Sequence, residues 1–194
     1  MITLLRNPVS GLFYILEKII MSTISKKICL VGDFGVGKTS LIRRFVDRQF
    51  SDKYLSTVGV KISRKIVDLI DVNPENKKEL QLLIWDIEGS NKFKAIAPTY
   101  FQGAKGAIIV ADVTQQDTLT SISDHIQTFL AVNPQASIVI ALNKSDLIET
   151  EYLEKIRQMY QFDNNNHVLS TYVTSAKTGT NVDEIFQLLS HSLV

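Results

Sequence analysis

Gly32-Asp33-Phe34-Gly35-Val36-Gly37-Lys38-Thr39 is a glycine-rich run that closes on a lysine and a hydroxyl side chain. Its spacing is G-x-x-x-x-G-K-[ST], a pattern in which successive backbone N–H groups wrap a polyphosphate. The amides from Asp33 to Ser40, through Phe34, Gly35, Val36 and Gly37, are the candidate phosphate donors. Lys38 adds a mobile charge for the outer phosphates, and the Thr39 hydroxyl is suited to Mg²⁺. Further along stands Asp86-Ile87-Glu88-Gly89. An acid at a strand end can hold Mg²⁺, and a glycine beyond it can offer an unhindered N–H to a terminal phosphate. Alone that pattern is weak, because strand-end turns often carry Asp and Gly.

Asn143-Lys144-Ser145-Asp146 and Ser175-Ala176-Lys177 add a base-reading chemistry. The Asp146 carboxylate can accept two hydrogen bonds from the N1–H and exocyclic amine of guanine. Adenine lacks that paired donor edge and would leave a charge unpaired. The alternative, an ordinary Asn/Asp/Ser turn after a strand, does not account for the phosphate pattern upstream. The combination points to a purine nucleoside phosphate, with guanine favoured and a nucleotide kinase or ATPase disfavoured.

These residues need a frame that brings their loops together. The apolar run 28–31 predicts a buried strand before the glycines, and Leu41, Ile42, Phe45 and Val46 share one face of a helix after them. Residues 50–57 are polar and uneven, so a loop is expected. Segments 58–70 and 79–85 flank a turn-rich stretch, 71–76, and predict the chain's antiparallel hairpin. Short apolar runs at 107–111 and 138–142 predict buried parallel strands, and 168–173 a more polar, outer one. Helices are expected at 92–101, 118–132, 149–160 and 182–193, the last with Asn181 as N-cap. The alternation predicts an α/β fold: an open, mostly parallel six-stranded sheet with helices on both faces and ligands at the carboxyl ends of its strands.

The totals fit one globular domain. Apolar residues make up 45% of the 194, charged residues 21%, and the formal net charge of +1 gives no reason to expect a nucleic-acid partner. The one cysteine, Cys29, falls in the first strand as a small core residue, so no internal disulfide is possible and a cytoplasmic location is expected. His125, His167 and His191 lack metal-ligand spacing and are expected at the surface or at helix ends. Residues 1–22 read as an extension to a domain at 23–194. Leu12, Ile15, Leu16, Ile19 and Ile20 share one helical side, too short to span a bilayer. Either this is an amphipathic helix for a membrane surface or a partner, or translation begins at Met21.

From Lys26 onward the chain resembles a Ras-superfamily small GTPase of the Rab type. Beyond the patterns above, the resemblance is carried by Gly32-Asp33, Ser56-Thr57-Val58-Gly59-Val60, Trp85-Asp86, Lys92-Phe93-Lys94-Ala95-Ile96, Tyr100-Phe101-Gln102-Gly103-Ala104 and Asp112-Val113-Thr114. It implies a GTP/GDP switch with Mg²⁺ held by Thr39, Thr57 and Asp86. It further implies Phe50 edge-on to guanine, the Lys144 stem along the base, and the Ala176 N–H on the guanine O6. Thr57 and Gly89 would order the two switch loops around the γ-phosphate, and protein effectors and regulators would read those loops on a monomer.

Two residues depart from the family where hydrolysis occurs. Ser90 stands after Gly89 in place of the usual water-orienting glutamine, and Phe34 occupies a loop position where the family keeps a small residue. GTP is therefore expected to bind and to turn over slowly, with Lys38, Gly89 and Ser90 as the catalytic set. The alternative is a largely GTP-loaded interaction module; Asn91 or a partner's residue taking over the glutamine's task would restore the rate. His191-Ser192-Leu193-Val194 offers no cysteine for prenylation, so any membrane contact is expected through residues 1–22 or a partner.

Overall fold

A sheet with a buried core on each face organises the fold. In a computed structural model that describes residues 24–51, 57–69, 78–90 and 95–194, the chain runs β1 (Ile24–Val31), α1 (Lys38–Asp47), β2 (Val60–Leu69), β3 (Lys78–Ile87), α2 (Ala97–Phe101) and β4 (Gly106–Asp112). It continues with α3 (Gln116–Thr120), α4 (Ile122–Val132), β5 (Ser137–Asn143), α5 (Thr150–Met159), β6 (Val168–Val173) and α6 (Val182–His191). The six strands lie in the order β2-β3-β1-β4-β5-β6. Among the described strands only β2 runs antiparallel, paired with β3 from Val60 opposite Ile87 to Leu69 opposite Lys78. The other pairings are parallel. This is the expected α/β sheet, with its hairpin at one edge and the more polar 168–173 strand at the other.

Successive residues of a strand face opposite sides. Ile108 and Val110 of β4 join one core with Leu41 and Phe45 of α1 and Phe186 and Leu189 of α6. Ala107, Ile109 and Ala111 join the other, with Phe129 of α4 and Ile156 of α5. Phe45 stacks on Phe186 with ring centroids 4.0 Å apart, locking α1 to α6. Such pairs add about 0.5–1.5 kcal/mol beyond burial, which helps hold in place the helix that opens at Lys38. Cys29 is a core residue, as expected, and burial pushes its thiol up to about 12.

Several local expectations are corrected. The helix expected over 118–132 is two helices that meet at Ser121, where the Ser121 and Thr120 hydroxyls both bond the Asp117 carbonyl at 2.9 Å, a back-bonding that bends helices. The described part of the 92–101 helix starts at Ala97 with Pro98 in its first turn. Asn181 stands at the N-cap position of α6 without capping it. Its backbone is left-handed, φ 53°, and its amide donates to the Val173 carbonyl at 2.8 Å. His125 is no surface residue: it lies within α4, its side chain 15% exposed. His191 does end a helix. The 1–22 segment, the Met21 start, residues 52–56 of the first loop, the 71–76 turn, Asn91 and residues 92–94 lie outside the described residues.

Strand order reverses at β1, which has β3 on one side and β4 on the other. Open α/β sheets bind ligands at such a point, beyond the carboxyl ends of the strands. The loops after β1, β3, β5 and β6 all emerge there.

Candidate functional site

A cleft of about 340 Å³ opens over these loops. The glycine-rich loop, Phe50, Thr57, Gly89, Asn143, Lys144, Asp146, Ala176 and Lys177 line it. The sequence patterns therefore meet in space although the first and last are about 140 residues apart. Val36 and Ser175 lie beneath the surface, fully buried, and Asp86 is 1% exposed.

The glycine loop is shaped by what it must approach. Gly37 has φ 99°, and a Cβ there would collide with the Asn143 amide. At Gly89 a Cβ would run into the backbone of Gly32 and Asp33, so the loop after β3 can lie against the glycine loop only without a side chain. The Lys38 ammonium donates to the carbonyls of Gly32 at 2.8 Å and Asp33 at 2.7 Å, which holds it across the loop. Burial pushes Lys38 down to about 8, against the opposing pull of Asp86, Asp33 and Glu88. A polyanion in the cleft would favour its charged form. The Asp33 carboxylate turns to α4, with Oδ2 3.4 Å from His125 Nε2, so the backbone is what Asp33 offers a phosphate.

Asn143 ties the loops together. Its amide donates to the Val36 carbonyl at 2.9 Å, and its oxygen accepts from the Ala176 N–H and the Thr174 hydroxyl, each at 3.3 Å. The Ala176 N–H expected on a base oxygen is thus engaged with Asn143 in this structure. Ser175 donates to Asp146 Oδ1 at 2.6 Å, holding that carboxylate at the cleft. Lys144 sits in the left-handed region, φ 66°, and its ammonium lies 2.6 Å from the fully buried Asp112. Lys144 lines the cleft, but its charge is anchored by Asp112, to which no role was assigned from sequence. An acid ending an apolar strand, as Asp112 ends β4, was the available signal.

Arg44 is a second residue missed. Its guanidinium donates to the carbonyls of Ala176, at 2.7 Å, and Lys177, and lies 6.0 Å from the Phe50 ring. It braces the 175–177 loop and Phe50 from α1, and nothing in the local sequence distinguishes it from a surface arginine. Phe34 is 52% exposed and lines the cleft mouth. Ser90 does not point freely at the cleft: its hydroxyl donates to Glu88 Oε1 at 2.6 Å. Glu88 Oε2 accepts from the Gly59 N–H at 2.8 Å, and these two bonds hold its carboxyl below the usual carboxylate range.

Comparison with known proteins decides what this arrangement belongs to. The Ras family pattern matches residues 27–194. The chain belongs to the Ras family, in its Rab-like branch. It is 35% identical to the GTP-binding protein ypt4 of Schizosaccharomyces pombe over 161 residues, 82% of this chain and 68% of that protein. It is 34% identical to the Ras-related protein Rab-22A of Homo sapiens over 173 residues, 86% of this chain and 82% of the relative. It is also 34% identical to Rab-13 of Canis lupus familiaris over 170 residues, covering 87% and 79%. The Rab-like chain is thus a small GTPase switch.

Membership implies guanine nucleotide and Mg²⁺, and the residues of this Rab-like GTPase fit the ion. The Thr39 and Thr57 hydroxyls lie 2.7 Å apart, and Asp86 Oδ2 is 2.5 Å from the first and 3.2 Å from the second. Among the described residues, Asp86 Oδ1 is buried without a hydrogen-bond partner. Burial raises the Asp86 pKa, which the two hydroxyls and Lys38 offset in part. A hard divalent cation would use that orphaned oxygen and the hydroxyls together. Among the described residues no cluster of His, Cys, Asp and Glu offers another metal site. No described helix is long and apolar enough to cross a membrane.

Proposed function

We propose that this Rab-like GTPase binds GTP and GDP with Mg²⁺ in the cleft and hydrolyses GTP slowly. The phosphates lie along the amides of Asp33 to Ser40 under Lys38, and Asp146 reads the guanine edge, with Asn143, Lys144 and the 175–177 loop as its supports. Phe50 covers the base. Thr39, Thr57 and Asp86 would hold the ion, which when bound would supply charge to offset that developing on the phosphate oxygens. Gly89 donates to the terminal phosphate and Lys38 neutralises it.

The observation that carries the slow step is the Ser90 hydroxyl. It is short, and its proton is committed to Glu88 at 2.6 Å, so it cannot orient a water as a glutamine amide does. Phe34 at the cleft mouth takes space that an activator's arginine would need. Unassisted turnover is expected at or below about 10⁻⁴–10⁻³ s⁻¹, the order seen in this class. A single-turnover assay with purified protein tests it, and hydrolysis complete within minutes without an activator would defeat it. Ser90→Gln should speed turnover.

A second reading, an interaction module that stays loaded with GTP, draws on the same residues. The ratio of GTP to GDP on freshly purified protein separates the two, since even slow turnover leaves mostly GDP. We also read 23–194 as the GTPase domain, a monomer that offers its two switch loops to protein partners, and 1–22 as a separate segment.

A further inference from the structure

Glu88 is assigned none of the phosphate, base or ion contacts, although its bond to Ser90 bears on hydrolysis, and both of its carboxylate oxygens are used. It follows Ile87, the last residue of β3, which faces Val60 at the start of β2. Its backbone N–H donates to the Gly59 carbonyl at 3.0 Å, and its Oε2 accepts from the Gly59 N–H at 2.8 Å. The pair extends the β2–β3 ladder by one residue, with a side chain supplying one of the two bonds. The other oxygen, Oε1, takes the Ser90 hydroxyl at 2.6 Å. One carboxylate therefore joins the segment just after Thr57 to the segment just after Gly89.

In a nucleotide switch of this kind those two segments are ordered by contacts to the terminal phosphate and are released when it leaves. Here a side chain of the protein makes a competing hold that needs no phosphate. We propose that Glu88 is a positioning residue that clasps Gly59 and Ser90 in both nucleotide states, so that these ends of the switch loops stay ordered after the terminal phosphate is lost. The proposal rests on the reading of the chain as a GTP/GDP switch. It goes beyond that reading by making the structural difference between the two states small at these positions.

Amide hydrogen exchange at Gly59, followed by NMR on the full chain, reads the clasp directly. The wild-type protein is loaded with GDP and Mg²⁺, or with a non-hydrolysable GTP analogue and Mg²⁺, beside Glu88→Ala and Glu88→Gln. In the wild type, Gly59 exchange should differ by less than about threefold between the two states. Glu88→Ala should speed it about tenfold or more in the GDP state, and much less with the analogue, whose terminal phosphate supplies order of its own. Glu88→Gln keeps an acceptor oxygen and should fall between, a rescue that a general loss of stability would not give. Gly59 exchange in the GDP state that is indifferent to both substitutions would overturn the clasp, as would a wild type that loses protection with GDP as fully as Glu88→Ala does. If Glu88→Ala does not fold, Glu88→Gln and Ser90→Ala carry the test: unchanged Gly59 exchange in both would refute it. Failure to bind guanine nucleotide would sink the switch reading instead, and Gly59 exchange in the purified protein would still report on the clasp.

Discussion

Replacing Asn143 by alanine should destabilise the protein by about 3 kcal/mol, because a single buried amide holds two functional loops in register. The Val36 carbonyl, 2.9 Å from the Asn143 amide, would lose its buried donor. An orphaned buried acceptor costs about 1–3 kcal/mol. The Ala176 N–H and Thr174 hydroxyl, each bonded at 3.3 Å, are at the long end of useful geometry and together add about 1 kcal/mol. In a domain of this size each kcal/mol moves Tm by roughly 2–4 °C, so a drop of about 6–12 °C is expected. The assay is thermal unfolding with GDP and Mg²⁺ set to the same multiple of each protein's own Kd, so that ligand linkage is common to both proteins. Thr174→Val removes only one 3.3 Å bond and should cost no more than about 1 kcal/mol. A Tm loss under about 2 °C for Asn143→Ala, or equal losses for the two variants, would refute the reasoning.

Asp86→Asn removes the charge whose buried oxygen lacks a partner, so the Mg²⁺ concentration needed for tight GDP retention should rise at least about tenfold, measured by release of a fluorescent GDP under a Mg²⁺ titration. Arg44→Ala frees the 175–177 loop and Phe50 from α1; GDP dissociation should quicken by roughly tenfold while phosphate-loop contacts are untouched. Cys29 carries the pH prediction. Burial holds the thiol neutral up to about 12 in the folded protein against 9 unfolded, so its contribution to stability is complete below pH 9 and is lost as pH rises towards 12. At pH 8 the folded thiol should alkylate at least about a hundredfold more slowly than the denatured one, and equal rates would show Cys29 to be accessible.

The strands were legible because parallel strands buried on both faces read as continuous apolar runs, and 138–142 and 107–111 are such runs. The glycine loop was legible for a different reason: its chemistry is local, with Lys38 and Thr39 adjacent to the glycines they serve. What stayed hidden depends on partners far along the chain. Arg44 reaches a carbonyl 132 residues away, and Asn143 one 107 residues away. Asp112 looked like family wording until the fold set it under Lys144. Periodicity predicted a single helix over 118–132 and could not register the interruption at Ser121, where two hydroxyls bond one carbonyl. Asn181 had the residue type of a cap, but its amide found the Val173 carbonyl instead. Glu88 was an unassigned position in D-x-x-G, because its two partners come from different loops.

Competition for the cleft tests the central claim most directly. Labelled GDP bound to the wild-type protein is displaced by unlabelled GDP, GTP or ATP at fixed Mg²⁺. A base site built around the Asp146 carboxylate predicts that GDP and GTP compete while ATP is weaker by at least about a thousandfold, with that gap collapsing in Asp146→Ala. ATP displacing the label within about tenfold of GTP, or discrimination undiminished in Asp146→Ala, would contradict it.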